Sequence, residues 1–277
     1  MSVVLQISDS HFGTERPAVV DALKQLSDAQ RPDLVILSGD ITQRALRTEF
    51  EAARAFVDKL NVPATLVIPG NHDIPLFDLV SRFFTPYGRY ARSFGTELEP
   101  IFESPDLLVT GVNTTRRYRH VQGEVSRAQR DEVATRLRRA KPTQLRVVVT
   151  HQPVHVTREE DRENLLRGHE DAIRTWAAAG ADLILGGHIH RPSISALHVA
   201  LPDLPRRVWA VQAGTSLSSR IRFDAGNSVN IIRYDAKEPV RCVVERWDYG
   251  EKARDFRLTT AEELARATDA LLTTTSE

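Results

Sequence analysis

The sequence predicts an α/β fold: two sheets packed face to face, with helices outside. Three observations carry this. Five short apolar runs, rich in β-branched residues and bounded by Gly and Pro, read as buried strands. Segments of helical period lie between them, an alternation that implies mostly parallel pairing with right-handed crossovers. The second half then supplies strands that pair as meanders, which two sheets accommodate better than one.

The elements follow in order. Residues 3–7 form the first strand and stop at Ser8-Asp9-Ser10-His11. Residues 17–29 open with Pro17 in the first helical turn and place Val20, Leu23 and Leu26 on one side. Residues 34–37 form a strand ending in Ser38-Gly39-Asp40. Residues 45–60 carry Phe50, Ala53, Phe56, Val57 and Leu60 at helical spacing, and Asn61-Val62-Pro63 stops them. Residues 65–68 run into Pro69-Gly70-Asn71-His72-Asp73. Residues 105–113 read as a further strand. Residues 126–140 form a helix with Ser126 as N-cap and Val133 and Leu137 four apart, ending before Pro142. Residues 147–150 stop at His151. A helix over 168–179 is closed by Gly180, and residues 183–185 run into Gly186-Gly187-His188-Ile189-His190. Residues 208–215, 227–234 and 240–247 are the meander strands. Neither a repeat nor a linker divides the chain, so residues 1–270 read as one domain and 271–277 as a frayed tail.

Composition narrows the function. The 277 residues are 41% hydrophobic and 27% charged, as expected of a globular domain. A formal net charge of +0 argues against a nucleic-acid partner, which calls for a basic excess. A small anionic substrate still fits, because bound metals can supply local positive charge. The one cysteine, Cys242, excludes an internal disulfide and sits in an apolar run as a small hydrophobe. No run reaches the roughly 18 apolar residues of a membrane span. The N-terminus has no leader pattern, and its first strand carries Asp9 and His11, so a cytoplasmic location is expected.

The strand ends carry the chemistry. Carboxyl ends of strands in α/β sheets share one edge, where such folds place ligands. Asp9 and His11, two apart at an extended end, can grip one cation. Asp40 has two oxygens and can bridge two metals; alone, it could equally cap a helix. Asn71 offers a neutral carbonyl oxygen, His72 an acid/base imidazole, and Asp73 could orient that imidazole by accepting its N–H. His151 and the pair His188 and His190 complete the set, with Gly186 and Gly187 removing side chains where the backbone passes the cluster. Five of the nine histidines stand at strand ends, which coincidence does not explain.

The order Asp-x-His, Gly-Asp, Gly-Asn-His-Asp, His, Gly-His-x-His resembles the calcineurin-like metallophosphoesterase superfamily. The resemblance implies a four-layer α/β/β/α sandwich of two mixed sheets, with the metal site at the carboxyl ends of strands. It implies one divalent ion held by Asp9, His11, Asp40 and His190, and a second held by Asp40, Asn71, His151 and His188. His72 would be the outer acid, and a metal-bridging hydroxide the nucleophile on a phosphodiester. The all-N/O donor set suits manganese or iron, with zinc, cobalt and nickel as alternatives. The Asp-Arg-Gly triplet of the serine/threonine phosphatases is absent after Asp40. The Asp-Ser-His opening and Gly-Asp-Ile-Thr block look more like bacterial class III cyclic-nucleotide phosphodiesterases and the related glycerophosphodiesterases. The expected function is therefore a phosphodiesterase of small diesters, 3′,5′-cyclic nucleotides among them. Alternatives are a nuclease or lipid-linked diphosphate hydrolase of the same superfamily, and a binding module that lost catalysis; the complete ligand set argues against the last.

Several roles stay open at this level. Arg116, Arg117 and Arg119, with Tyr118 and His120, either contact substrate or form a solvated loop, and the same holds for Arg220 and Arg222. Arg136, Arg138 and Arg139 are expected on an exposed helix face. The aromatics Phe77, Phe83, Phe84, Tyr87, Tyr90 and Phe94 between residues 75 and 100 suggest local packing, with substrate stacking as the alternative, and the segment could cap the site or form a subunit contact. A homodimer through the C-terminal strands is also open.

Overall fold

In a computed structural model that describes residues 1–222 and 224–267, each apolar run read from the sequence is a strand. The first half gives β1 (Ser2–Ile7), α1 (Pro17–Gln30), β2 (Leu34–Ser38), α2 (Arg47–Leu60), β3 (Thr65–Ile68), α3 (Leu79–Phe84), α4 (Gly88–Phe94), β4 (Ile101–Glu103), β5 (Leu107–Gly111) and α5 (Arg127–Arg138). The second half gives β6 (Leu145–Val149), α6 (His169–Ala178), β7 (Leu183–Gly186), β8 (Ser193–Ala196), α7 (Leu197–Ala200), β9 (Trp209–Gln212), β10 (Ser228–Tyr234), β11 (Arg241–Gly250) and β12 (Asp255–Ala265). The tail expected to fray, 271–277, lies outside the described residues.

Local chemistry sets the helix boundaries. Pro17 occupies the first turn of α1, where its missing N–H costs nothing. At α5, Ser126 Oγ accepts the Gln129 N–H at 3.2 Å, and Gln129 Oε1 accepts the Ser126 N–H at 3.0 Å. That reciprocal pair satisfies two orphan donors. The helix expected from residue 45 begins at Arg47 instead, because Ala45 adopts a left-handed φ of 54°. Glu49 Oε2 then accepts the N–H groups of Arg44 and Leu46 ahead of the helix.

Two six-stranded mixed sheets result, in the orders β12-β11-β10-β1-β2-β3 and β4-β5-β6-β7-β9-β8. β1, β2 and β3 pair in parallel, as do β5, β6, β7 and β9; the remaining neighbours are antiparallel. Alternation along the strands sorts side chains into three cores. Val35 and Leu37 meet α1 and α2 on one outer face. Leu34 and Ile36 meet Val109, Val147 and Leu185 between the sheets. Val148 and Ile184 meet Val133, Leu137 and the fully buried Trp176 under α5 and α6 on the other. At about 1.5–3 kcal/mol for each such side chain removed from water, these cores hold the four layers together.

One polar seam crosses the middle core. Gln6 is fully buried, and its Nε2 donates to Ser38 Oγ and to the Gly186 carbonyl, both at 3.1 Å. Its Oε1 accepts from Asn230 Nδ2 at 3.0 Å. Gln6 thus ties β1 and β2 to the end of β7, directly beneath the strand ends that carry the histidines.

Three features depart from the sequence reading. β4, β8 and β12 were not foreseen, and all three are sheet edges. β12 is mostly exposed and charged, which is how natural edges avoid further pairing. Arg136, expected to be exposed, folds back so that Nη1 donates to Thr110 Oγ1 at 3.2 Å. The aromatics between 75 and 100 divide: Tyr90 is buried with its hydroxyl donating to the Val67 carbonyl, and Tyr87 and Phe94 pack beside it. Phe77 and Phe84, by contrast, are 82% and 83% exposed.

Cys242 sits between the sheets, where burial pushes its thiol up to about 12. It is expected to resist a thiol reagent at neutral pH in the folded protein and to react fully in guanidinium chloride. Rapid labelling of native protein would contradict this packing.

Candidate metal centre

The parallel strands of both sheets end at one edge and deliver all of the expected donors there. Asp9 and His11 follow β1, Asp40 follows β2, and Asn71 and His72 lie in a 3-10 turn after β3. His151 follows β6; His188 and His190 follow β7. Asp9, His11, Asp40, Asn71 and His151 are buried, while His188 and His190 are half-buried.

Their polar atoms face one another. His190 Nε2 lies 3.2 Å from Asp9 Oδ1 and 3.2 Å from His11 Nε2. His151 Nε2 lies 3.2 Å from Asp40 Oδ1 and 3.2 Å from Asn71 Oδ1. Asp40 stands in between, its Oδ2 being 3.8 Å from His11 Nε2. Candidate ligand atoms of Asp9, His11 and His190 lie within 4.8 Å of one another, and so do those of Asp40, His151 and His188.

Backbone carbonyls fix which ring nitrogens point inward. The Ser38 carbonyl accepts from His151 Nδ1 at 2.9 Å, and the Arg220 carbonyl accepts from His190 Nδ1 at 2.5 Å. A carbonyl only accepts, so Nδ1 carries a proton and Nε2 is the nitrogen turned on the cluster, able to give up its own proton to a cation. His11 Nδ1 and both nitrogens of His188 are buried without a hydrogen-bond partner among the described residues. Lone pairs and carboxylate oxygens at 3.2 Å repel unless a proton or a cation lies between them. The donor set therefore fits two divalent ions, with Asp40 able to serve both.

Backbone strain marks the same residues. Asp9, His11, Asp40, His188 and His190 have φ of 51°, 42°, 48°, 74° and 56°. Left-handed backbone at non-glycine residues costs of order 1–3 kcal/mol each and gathers at functional sites. Gly187 is required here, because a Cβ would collide with Ser8 Oγ and Asp9 Oδ2. Gly39, at φ 93°, leaves room for the His151 ring. Gly186, by contrast, faces Gln212 rather than the cluster.

Burial and charge compete throughout. Burial opposes ionisation of Asp9, yet His190 prevails and holds it at about 2. Asp40 is likewise held well below the usual carboxylate range despite burial, by His151 and His72. Burial depresses His11 and His188 to about 3. It also opposes the charged form of His151, but Asp40 outweighs it and raises that imidazole to about 9.

Asp73 requires a correction. It does not accept a hydrogen bond from the His72 ring. Its carboxylate accepts the N–H groups of Ile41, Thr42 and Gly70 and the Thr42 hydroxyl. The 3-10 turn sends neighbouring side chains apart, so Asp73 braces the loops after β2 and β3. The partner of His72 Nδ1 is the Gln43 carbonyl, at 2.8 Å. His72 also lies near His11 and Asp40 as a third possible ligand group. The Arg220 guanidinium lies 3.3 Å from His72 Nε2.

The arginine run takes structural roles. Arg116 donates to the Asn113 carbonyl and Gln129, Arg117 to the Phe83 carbonyl, and Arg119 to Glu124. Only His120 nears the site, its ring 6.2 Å from that of His72. Sequence reasoning gave no role to Ser8, whose hydroxyl donates to Asp9 Oδ2 at 2.7 Å, or to Gln43. Ser8 directly precedes the Asp-Ser-His block and Gln43 directly follows Gly-Asp-Ile-Thr, and that adjacency was the available signal.

Comparison with known proteins agrees with this geometry. Residues 2–192 match the family model for calcineurin-like phosphoesterases. A probable glycerophosphodiester phosphodiesterase GpdQ of Arcobacter nitrofigilis is 26% identical over 204 residues, 69% of this chain and 72% of that protein. The glycerophosphodiester phosphodiesterase GpdQ of Enterobacter lignolyticus is 34% identical over 82 residues, 26% of this chain and 29% of that protein. Among solved structures, a purple acid phosphatase from yellow lupin superposes with a TM-score of 0.72 at 12% identity, covering 98% of this chain and 55% of the other. A dimetal phosphatase from Danio rerio gives 0.65 at 13% identity, covering 96% and 99%.

Two measurements check the centre. His151 must lose its proton to ligate, so manganese affinity of the metal-free protein is expected to rise toward about pH 9, by about tenfold per pH unit for each proton released. Calorimetry across that range reads the slope, and a flat profile would exclude His151 as a titrating ligand. Gly187→Ala is expected to fail to hold its full metal complement by elemental analysis. Gly226→Ala, where a Cβ meets nothing within 4 Å, is expected to keep it.

Proposed function

Because the chain belongs to the calcineurin-like phosphoesterase family, we propose that it is a dinuclear metal-dependent phosphodiesterase of small phosphodiesters. The observation that carries this reading is Asp40, whose two oxygens face separate imidazoles, Oδ2 that of His11 and Oδ1 that of His151. In this reading Asp9, His11, Asp40 and His190 hold one ion, and Asp40, Asn71, His151 and His188 hold the other. When bound, such a pair lowers the pKa of water and neutralises charge on phosphoryl oxygens.

The chain's own residues then divide the remaining work. The His72 N–H at Nδ1 is committed to the Gln43 carbonyl, so the ring is fixed and Nε2 is the nitrogen that exchanges a proton. Protonated there, His72 donates to the departing alkoxide. Asp73 keeps the His72 turn in register with the Asp40 loop. The His72 N–H of the backbone also donates to Asp40 Oδ1 at 2.8 Å, tying acid to bridge.

Similarity to proteins named glycerophosphodiester phosphodiesterases favours diesters with small alcohol leaving groups. Cyclic nucleotides are the second substrate class in this reading.

The test is hydrolysis of a chromogenic diester, its monoester, a glycerophosphodiester and 3′,5′-cyclic AMP by manganese-loaded protein. Diester turnover well above monoester is expected, with Asn71→Ala nearly inactive. His72→Ala is expected to lower kcat about 10²–10⁴-fold while keeping both metals. Preference for the monoester would sink the diester reading.

A further inference from the structure

Arg220 lies on the loop after β9, which crosses the ends of β1 and β7. The loop is pinned on both sides of it. Ser216 N–H donates to the Ser8 carbonyl at 3.0 Å, Arg16 N–H to the Leu217 carbonyl at 2.9 Å, and Ser219 N–H to the Thr14 carbonyl at 3.0 Å. On the other side, Arg222 pairs with the buried Asp161 at 2.8 Å. Backbone and side chain of residue 220 then do different things. The carbonyl accepts from His190 Nδ1 at 2.5 Å and from Thr215 Oγ1 at 2.8 Å. The guanidinium reaches across the mouth of the site, 3.0 Å from Gln43 Oε1 and 3.3 Å from His72 Nε2.

Neither side-chain partner is a carboxylate: Gln43 offers an amide oxygen and His72 a ring nitrogen. Neighbouring Arg191 and Arg222 are paired with Asp161 or Asp224, but no carboxylate among the described residues lies within 4 Å of the Arg220 guanidinium. A permanent cation is therefore held without a counter-ion on a cleft of about 330 Å³ lined by His188, His190 and Ile221. It also occupies the one face of His72 from which a proton can be delivered. A leaving-group oxygen that reaches Nε2 must displace this contact, and the guanidinium, still anchored to Gln43, is then left beside the phosphoryl group.

We propose that Arg220 is a substrate-binding residue that clamps the non-bridging phosphoryl oxygens, with Gln43 as its anchor. The inference rests on the phosphodiesterase reading of the site. A planar guanidinium can offer two parallel N–H groups to two oxygens of one phosphate, which an ammonium cannot. The contact is aimed at the group common to all diesters, so it serves affinity for the phosphoryl centre and not choice of alcohol.

The experiment compares wild type, Arg220→Ala and Arg220→Lys, all manganese-loaded. Metal content is expected to be unchanged, because His190 is held by the backbone carbonyl. For bis(4-nitrophenyl) phosphate, kcat/KM is expected to fall about 10- to 100-fold in the alanine variant, with lysine in between. Added methylguanidinium is expected to restore part of the alanine loss. Inorganic phosphate, titrated calorimetrically into each protein, is expected to lose affinity by a similar factor. Active wild type with kcat/KM and phosphate affinity unchanged in Arg220→Ala overturns the clamp. Inactive wild type whose phosphate affinity still depends on Arg220 would sink the reaction and leave the clamp standing. Equal phosphate affinity in all three proteins, including none in any, overturns the clamp whatever the turnover.

Discussion

Two buried carboxylates are held against two imidazoles, Asp40 against His151 and Asp9 against His190, and the rest of the molecule is arranged to keep those pairs at 3.2 Å. His151 Nε2 faces Asp40 and Asn71 oxygens, and His190 Nε2 faces Asp9 and His11, with separations of 3.2 Å. Asp9, His11, Asp40 and His190, with His188 beside them, also carry left-handed backbone. The pairing offsets the cost of burying these charges, but the backbone strain is not relieved locally. It is carried by three apolar cores, whose collective burial far exceeds a strain of a few kcal/mol per residue.

The arrangement works because parallel strands end together. β1, β2 and β3 bring Asp9, His11, Asp40 and Asn71 from one sheet; β6 and β7 bring His151, His188 and His190 from the other. Each proposed ion draws on both sheets. A shell of carbonyls then turns the rings: Ser38 for His151, Arg220 for His190 and Gln43 for His72. These acceptors convert flexible imidazoles into fixed lone pairs, which a binding site needs before its ligand arrives.

The donors were legible in the sequence because they demand particular side chains immediately after buried strands, and both signals are local. Asp9, Asp40 and His188 could be read in that way. The carbonyl shell could not, since any residue type supplies a carbonyl and only the fold aims it. Asp73 was misread for a related reason. Adjacency to His72 suggested a partner, but the turn from Asn71 to Asp73 points the two side chains apart. β12 escaped because an exposed edge strand has no buried face and so no apolar alternation to detect. The arginines were ambiguous because their role depends on what the fold places opposite them: the Phe83 carbonyl for Arg117, Gln43 and His72 for Arg220.

The buried amide of Gln6 has a consequence beyond cohesion. By bonding at once to Ser38 and to Gly186, it fixes the lateral offset of one sheet on the other just below the cluster. Because each proposed ion would be shared between the sheets, that offset sets where the donors of one sheet stand relative to those of the other. Gln6 acts as a gauge block. Substitutions along this seam would slide one half of the donor set against the other while leaving the identity of every donor untouched.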